Sequence, residues 1–233
     1  NFIMYENYGF FFEHLPFENV PIAMLLPRDI EMRGEKRDAL NVFLENKLSV
    51  QIKTDDTLGV SLPRLLTFAR VAVLSQGDIE ENAVVAATFR RLRGEDELAS
   101  DDEEDWKPAE QVLSRSHEIR ALTFLAHHVK EERARHYPQY DHRDFSSVAS
   151  QDSVRSQCMR YLHLTLVNYG VLLELVRKGL TSLSLSNEEH TADAMVQLDH
   201  CSSVDACMEW SEHLCGLWRS QVPRSWLNSA VEL

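Results

Sequence analysis

The stretch SLPRLLTFARVAVL, residues 61–74, predicts the clearest helix in the chain. Ser61 is placed as the helix cap, and Pro63 lies in the first turn, where a proline is best tolerated. Apolar residues follow helical spacing on one side and occupy much of the remaining circumference. They are Leu62, Leu65, Leu66, Phe68, Ala69, Val71, Ala72, Val73 and Leu74. A helix that is apolar on nearly every side is expected to be buried.

Helical periodicity recurs along most of the chain. Gly94 and Gly179 are predicted to end helices, because glycine is favoured just past a helix end. The prolines within 10–26 indicate an extended segment, and Ser49 to Lys53 alternates like a short strand. The other predicted helices span about 35–48, 79–93, 117–136, 154–178 and 204–219. The predicted fold class is mainly α: a multi-helix orthogonal bundle with one or two short strands near the N-terminus.

The negative charge of the chain is concentrated in one segment. The formal net charge of the 233 residues is −13, and eight of the eleven residues from Glu95 to Asp105 are acidic. Such a run has the composition of a disordered loop, which we predict for residues 95–108. Because the chain has no basic patch, nucleic acid is not an expected partner.

Apolar runs and cysteines indicate the compartment. The longest apolar run, Ile22 to Leu26, is far shorter than the roughly 20 residues that span a bilayer, so no membrane partner is expected. Four cysteines without a C-x-x-C pair are too sparse for a disulfide scaffold, which favours a reducing compartment. We expect a soluble intracellular protein, cytoplasmic or nuclear, with a plastid location left open.

Several motifs occur in an order that resembles the C-terminal substrate-binding domain of SET-domain protein methyltransferases. They are NYGFFF at 7–12, FENV at 17–20 and LLTFARV at 65–71, and His117-Glu118 is similar to the Asn-Glu that begins a later family helix. The relatives concerned are the plant Rubisco large-subunit lysine methyltransferase and the animal actin-histidine methyltransferase. The resemblance covers about residues 1–180.

The resemblance implies a division of the chain into three parts. Residues 1–9 end a catalytic-domain helix or form the seam between two domains, with Tyr8 and Phe10 as candidates for interdomain contacts. Residues 10–180 form the substrate-binding domain, and residues 181–233 form a C-terminal helical extension. Asn1 is not a methionine and lies in a helical pattern, so we expect that the chain was either processed or cut from a longer one. The resemblance implies that a SET domain lies upstream.

The implied function is recognition. A protein substrate is held so that a lysine, or in one branch a histidine, receives a methyl group from S-adenosylmethionine in the SET domain. The candidate substrate-contacting faces lie on the helices at Leu62–Leu74, His117–His136 and Val154–Lys178. The alternative is a free-standing helical interaction or scaffold protein that binds basic proteins through the acidic loop.

The residues that a SET enzyme needs for catalysis are missing from the chain. None of the eight glycines lies two residues from another, and the Asn-His pair that contacts the cofactor in the family does not occur. We therefore assign no catalytic or cofactor-binding residue, and predict that the isolated chain transfers no methyl group. The family's charged run in its final helix is also replaced, by HLTLVNY at 163–169.

Histidines, cysteines and tryptophans have competing interpretations. The histidines around 127–142 and the mixed group from His190 to Cys215 do not combine into the two short ligand pairs of a zinc site, so no metal is expected. Trp106 either anchors a partner or pins the acidic loop to the next helix. Trp210, Trp218 and Trp226 are predicted to dock the C-terminal tail onto the helical body.

Overall fold

A computed structural model of the protein describes residues 20–52, 58–95, 105–136, 169–183 and 205–227. Seven α-helices and one two-stranded sheet lie within these ranges, which confirms the predicted mainly α fold class. In chain order the elements are β1 (Val20–Ala23), α1 (Arg33–Phe43), β2 (Ser49–Ile52), α2 (Leu58–Ala72), α3 (Gln76–Glu81), α4 (Ala83–Leu92), α5 (Arg115–His136), α6 (169–182), α7 (Asp205–Arg219) and a 3-10 turn (Arg224–Trp226). Residues 1–19, with Tyr8 and Phe10, lie outside the described ranges.

Helix α2 lies at the centre of the fold. It packs against α1, α5, α7 and β2, and its side chains from Leu65 to Ala72 are all buried. The predicted burial of this helix is therefore confirmed. Its predicted start is wrong, because the helix begins at Leu58 and places Ser61 inside it, 8% exposed. Pro63 consequently lies in the second turn.

The short sheet is closed on one side by a helix. Strands β1 and β2 pair antiparallel, with Ile22 opposite Val50. The backbone of Ala23 faces away from β2 and meets two side chains of α5. His128 Nε2 lies 2.6 Å from the Ala23 carbonyl oxygen, and the Ala23 N–H donates to Glu132 Oε2 at 3.3 Å. Helix α5 therefore satisfies this strand edge as a neighbouring strand would.

The helix predicted at 35–48 is shorter in the structure. Helix α1 ends at Phe43 and not at Leu48, because Glu45 and Asn46 turn the chain with φ of 52° and 59°. Arg64 of α2 holds this turn by donating to the carbonyl oxygens of Leu44 (3.1 Å) and Lys47 (2.8 Å).

The predicted helix at 79–93 is two helices in the structure. Asn82 interrupts it in an extended conformation, and its side chain accepts a hydrogen bond from the Val85 N–H. Asparagine competes well for helix N-terminal N–H groups, so α4 begins anew at this residue. Gly94, at φ 71°, follows its end as predicted.

The end of the predicted acidic loop is packed against the core. Trp106 is 1% exposed, its backbone N–H donates to Thr88 Oγ1 at 2.9 Å, and its ring meets Phe43 edge-on. Trp106 thus holds the chain against α1 and α4, which precede it, and not against the next helix as one prediction had it. Asp105 to Pro108 are therefore held against the helices, whereas the sequence predicted that they belong to a disordered loop. Residues 96–104 lie outside the described ranges.

Gly179 does not end its helix. Helix α6 continues to residue 182, and Ser182 and Leu183 are buried, so the predicted boundary at 180 falls inside the packed core. A Cβ atom on Gly179 would lie 3.0 Å from Leu122 Cδ1 and 3.8 Å from the Trp218 ring. The glycine therefore permits the close approach of α5 and α7 to α6.

Helix α7 is part of the same core. Leu214, Cys215 and Trp218 are fully buried, whereas Leu217 is 38% exposed. The docking predicted for Trp218 is confirmed, and Trp226 is partly buried against the core. Within the described ranges, no helix is long and apolar enough to cross a membrane.

Replacing Gly179 by alanine is expected to destabilise the fold, whereas the same change at Gly216 is expected to stabilise it. Alanine gains about 0.5–1 kcal/mol over glycine within a helix. At Gly179 a typical overpacking cost of about 1–3 kcal/mol outweighs that gain, because Leu122 is itself buried and has little room to move. At Gly216 of α7 a Cβ atom meets nothing within 4 Å.

Urea unfolding of the two variants measures the contrast. We expect Gly179→Ala to lower the free energy of unfolding by about 1 kcal/mol and Gly216→Ala to raise it by about 0.5 kcal/mol. Equal effects of the two substitutions would mean that Gly179 makes no close contact.

Candidate functional site

The most distinctive polar site of the described structure is a buried ion pair between α2 and α5. Arg70 and Glu118 are both 0% exposed. Arg70 donates from Nε to Glu118 Oε2 at 2.9 Å and from Nη2 to Glu118 Oε1 at 2.8 Å. This bidentate geometry is the strongest form of an arginine–carboxylate contact.

Further partners surround the pair on both sides. Trp218 of α7 donates from Nε1 to Glu118 Oε1 at 2.8 Å. Arg70 Nη1 donates to the Pro108 carbonyl oxygen at 2.8 Å and to Gln221 Oε1 at 3.1 Å. Each oxygen of Glu118 and each nitrogen of the Arg70 guanidinium therefore has a hydrogen-bond partner. An ion pair whose polar atoms all have hydrogen-bond partners and which is shielded from solvent holds the surrounding segments in place. It is not accessible to a substrate.

The C-terminal end of α2 is also fully capped. The last four carbonyl groups of a helix lack partners within the helix, and burial makes unsatisfied groups costly. Two of them receive backbone N–H groups, Ala69 from Val73 at 3.2 Å and Val71 from Leu74 at 3.3 Å. The carbonyl oxygens of Arg70 and Ala72 are reached by side chains from other helices instead.

These two side chains are titratable. His117 of α5 lies with Nε2 3.0 Å from the Arg70 carbonyl oxygen, and Lys36 of α1 donates from Nζ to the Ala72 carbonyl oxygen at 2.9 Å. Burial lowers the pKa of Lys36 and the pKa of His117 from their ordinary values. Both residues are almost completely buried because the carbonyl groups that they satisfy are buried.

A second ion pair ties α3 to α5 nearer the surface. Asp78 completes a capping box with Ser75, and Arg120 Nη2 lies 2.6 Å from Asp78 Oδ2. Partial burial acts to raise the pKa of Asp78, but the hydrogen bonds from Ser75 and the charge of Arg120 hold that pKa below its ordinary value. The turn between α2 and α3 is thereby fixed against α5.

The predicted substrate-contacting face at Leu62–Leu74 is not exposed. In this stretch only Pro63, Arg64 and Val73 are even partly accessible, so the prediction for α2 is wrong: the helix is enclosed by the elements packed around it. The described part of the predicted face at Val154–Lys178 is buried as well, except for partly exposed Arg177. Residues 154–168 lie outside the described ranges.

Helix α5 does present an exposed face. Ser116, Arg120, His127 and Glu131 are exposed and recur at spacings of three or four residues, with half-buried Thr123 between them. They lie on the side opposite Leu122 and Val129, which are buried. This face carries charge at Arg120 and Glu131. Of the three predicted contact faces, this one is accessible in the structure.

Two neighbouring histidines of α5, His127 and His128, lie in different environments. His128 is buried, lies 4.8 Å from the Phe68 ring and stacks on Phe124, whereas His127 is exposed. Among the described residues, no group of three or more histidine, cysteine or acidic side chains is placed to hold a metal ion. Cys215 is a free buried thiol, and burial raises its pKa. Residues 137–168 and 184–204, with their histidines and cysteines, lie outside the described ranges.

Sequence reasoning named Arg70 and His117-Glu118 only as parts of motifs, and it did not pair them. It missed Lys36 and Gln221 entirely. The charges of Arg70 and Lys36 within otherwise apolar helix faces were the available signal, since a charged residue on a buried face needs a partner.

Comparison of the chain with protein-family models, curated proteins and solved structures gives no match. The membership suggested by the motifs at 65–71 and 117–118 therefore stays a prediction.

Removing one member of the buried pair is expected to be much more harmful than removing both. Glu118→Leu leaves the Arg70 charge buried without a counter-charge, which typically costs about 3–5 kcal/mol. Adding Arg70→Met removes that charge, so we expect the double variant to regain about 2 kcal/mol or more relative to the sum of the single effects.

Chemical unfolding of the two single variants and the double variant gives this coupling energy. The surface pair of Arg37 and Asp38, whose side chains are 61% and 64% exposed, is the matched control and should couple by less than about 0.5 kcal/mol. Additive effects at Arg70 and Glu118 would contradict the assigned pairing.

Proposed function

We propose that this chain is the substrate-recognition domain of a SET-type protein methyltransferase. The observation that carries the proposal is the contact between Arg70 and Glu118. Each belongs to a different motif of the resemblance, LLTFARV at 65–71 and His117-Glu118, and the two residues are 48 positions apart. Two charged motif residues that pair in the core support a shared fold, because a buried charge requires its partner.

The exposed face of α5 is the proposed contact surface for a protein substrate. Its polar residues stand on a helix that is anchored on its other side by the Arg70–Glu118 pair, by His117 and by the Ala23 contacts. A rigid base keeps the loss of conformational entropy on binding small. The surface offers an anion at Glu131 and an imidazole at His127, beside Arg120, which also pairs with Asp78. This mixture suits a substrate surface of mixed charge.

The role of such a domain is positioning. Binding energy from a protein-sized surface orients one lysine or histidine side chain toward the methyl donor and so raises the effective concentration of the reacting groups. S-adenosylmethionine supplies the methyl group and would be held by the upstream SET domain, because this chain has neither a G-x-G loop nor an Asn-His pair. The described residues provide recognition and no methyl-transfer chemistry.

The proposal predicts a catalytic domain in the reading frame upstream of Asn1 and a methylation event that depends on α5. In cells that lack the gene, we expect one or a few methylated lysine or histidine sites to disappear. The full-length gene should restore them, whereas a gene carrying His127→Glu and Glu131→Lys should restore them at least severalfold less. Proteome-wide mass spectrometry of methylated peptides measures both outcomes.

The matched control carries Arg37→Glu and Asp38→Lys, which alter an equally exposed pair on α1 and should restore methylation fully. A start codon directly before Asn1, or unchanged protein methylation without the gene, would defeat the proposal. Methyl transfer by the purified 233-residue chain would defeat it as well.

The alternative, binding of basic proteins by the acidic run, is supported by the way its two ends are held. Arg91 binds Asp105 at 2.8 Å and Arg93 binds Glu95 at 3.1 Å. Both ends of the acidic run are therefore held at the C-terminal end of α4. Between these ends the sequence contains six further carboxylates. Negative charge concentrated in one place attracts basic segments over long range.

A variant in which part of the acidic run is neutralised separates the two proposals. Asp101→Asn, Asp102→Asn, Glu103→Gln and Glu104→Gln remove four charges and retain the ion pairs of Glu95 and Asp105. If the acidic run is the binding site, affinity for a lysine-rich peptide should fall severalfold and lose most of its salt dependence. Calorimetry at two salt concentrations measures this, and an indifferent result favours recognition by α5.

A further inference from the structure

Strand β1 and helix α5 run antiparallel where they meet. The Ala23 N–H donates to Glu132, and the Ala23 carbonyl oxygen contacts His128, one turn earlier in α5. Because a strand runs from the N–H of a residue toward its carbonyl group, β1 heads toward the N-terminal end of α5. Leu25, two residues after Ala23, therefore lies beside the preceding turn of α5, which carries Phe124.

Leu25 is the most exposed large apolar residue in the described part of the chain, at 60%. The extended pairing reaches up to it, since the Met24 N–H donates to the Leu48 carbonyl oxygen at 2.9 Å. Side chains alternate along a strand, so Leu25 faces away from the core that contains Ile22 and Met24. Phe124 is half-buried at the border of the exposed face of α5. Together, Leu25 and Phe124 form an apolar patch, the Leu25–Phe124 patch.

The charges around this patch are mainly negative. Glu131 lies two turns after Phe124 on the same side of α5, is exposed, and forms no ion pair within the described ranges. The two arginines beside it, Arg120 and Arg135, are each paired with a carboxylate of the chain. The loop after Leu25 adds one basic and two acidic residues, all exposed: Arg28, Asp29 and Glu31. The patch is therefore complementary to a positively charged partner.

We propose that the Leu25–Phe124 patch docks a protein segment in which a large apolar side chain stands close to a lysine or arginine. The apolar side chain packs on Leu25 and Phe124, and the basic residue pairs with Glu131. A small apolar centre with a polar rim is typical of the part of an interface that carries most of the binding energy. The inference rests on the proposed function only in taking this segment to belong to the methylated substrate.

Selection from a library of random short peptides on the purified 233-residue chain tests the docking site. We expect the selected peptides to carry a large apolar residue within a few positions of a lysine or arginine. Leu25→Asp should weaken their binding about fivefold or more, as for a residue at the centre of an interface. Val42→Asp is the matched control, because Val42 is 59% exposed on α1, and it should leave binding unchanged. Fluorescence anisotropy measures the affinities.

A library that yields no binder, or selected peptides that bind the Leu25→Asp and Val42→Asp variants equally well, would overturn the docking site. Should Leu25→Asp fail to fold, the milder Leu25→Ser takes its place. Failure of the proposed function has a different signature: binding still requires Leu25, while loss of the gene leaves protein methylation unchanged. Conversely, methylation that depends on His127 and Glu131 but not on Leu25 overturns the docking site alone.

Discussion

The placement of Arg70 in the buried last turn of α2 is the constraint on which the rest of the structure depends. An isolated buried guanidinium is very unfavourable, so the fold must bring it a carboxylate and further acceptors. Glu118 supplies the charge, and the Pro108 carbonyl and Gln221 supply the remaining acceptors. One side chain of α2 thereby determines how α5, the segment before α5 and the segment after α7 are placed.

The same reasoning explains why two titratable residues are buried at the end of α2. When a helix terminus is covered by other elements, water no longer reaches its last carbonyl groups, and side chains must take its place. Lys36 does so from α1 and His117 from α5. Both are cationic when protonated, which suits the negative end of the helix dipole, but burial acts against the charge. The polar contacts of α2 thus extend to α1, to α5 and to Gln221, just after α7.

Sequence patterns predicted the features that follow from one segment at a time. The burial of α2 could be predicted because apolar residues surround it, and Gly94 was recognised as a helix end from its position after an amphipathic run. Contacts between segments were not predictable in this way. Gly179 was predicted to end a helix for the same reason as Gly94, but it lies inside α6. There the absence of a side chain allows Leu122 and Trp218 to approach it.

The break at Asn82 and the pairing of Arg70 with Glu118 belong to the same class. A capping asparagine interrupts a helix only where the following turn has somewhere to pack, and that depends on tertiary neighbours. Arg70 and Glu118 were visible as motif residues, but only their three-dimensional neighbours explain them. Their burial also limits what the motifs can convey: residues that are 0% exposed specify how the domain folds and not what it binds. Under the proposed function, recognition therefore belongs to residues outside these motifs, such as His127 and Glu131, which are exposed.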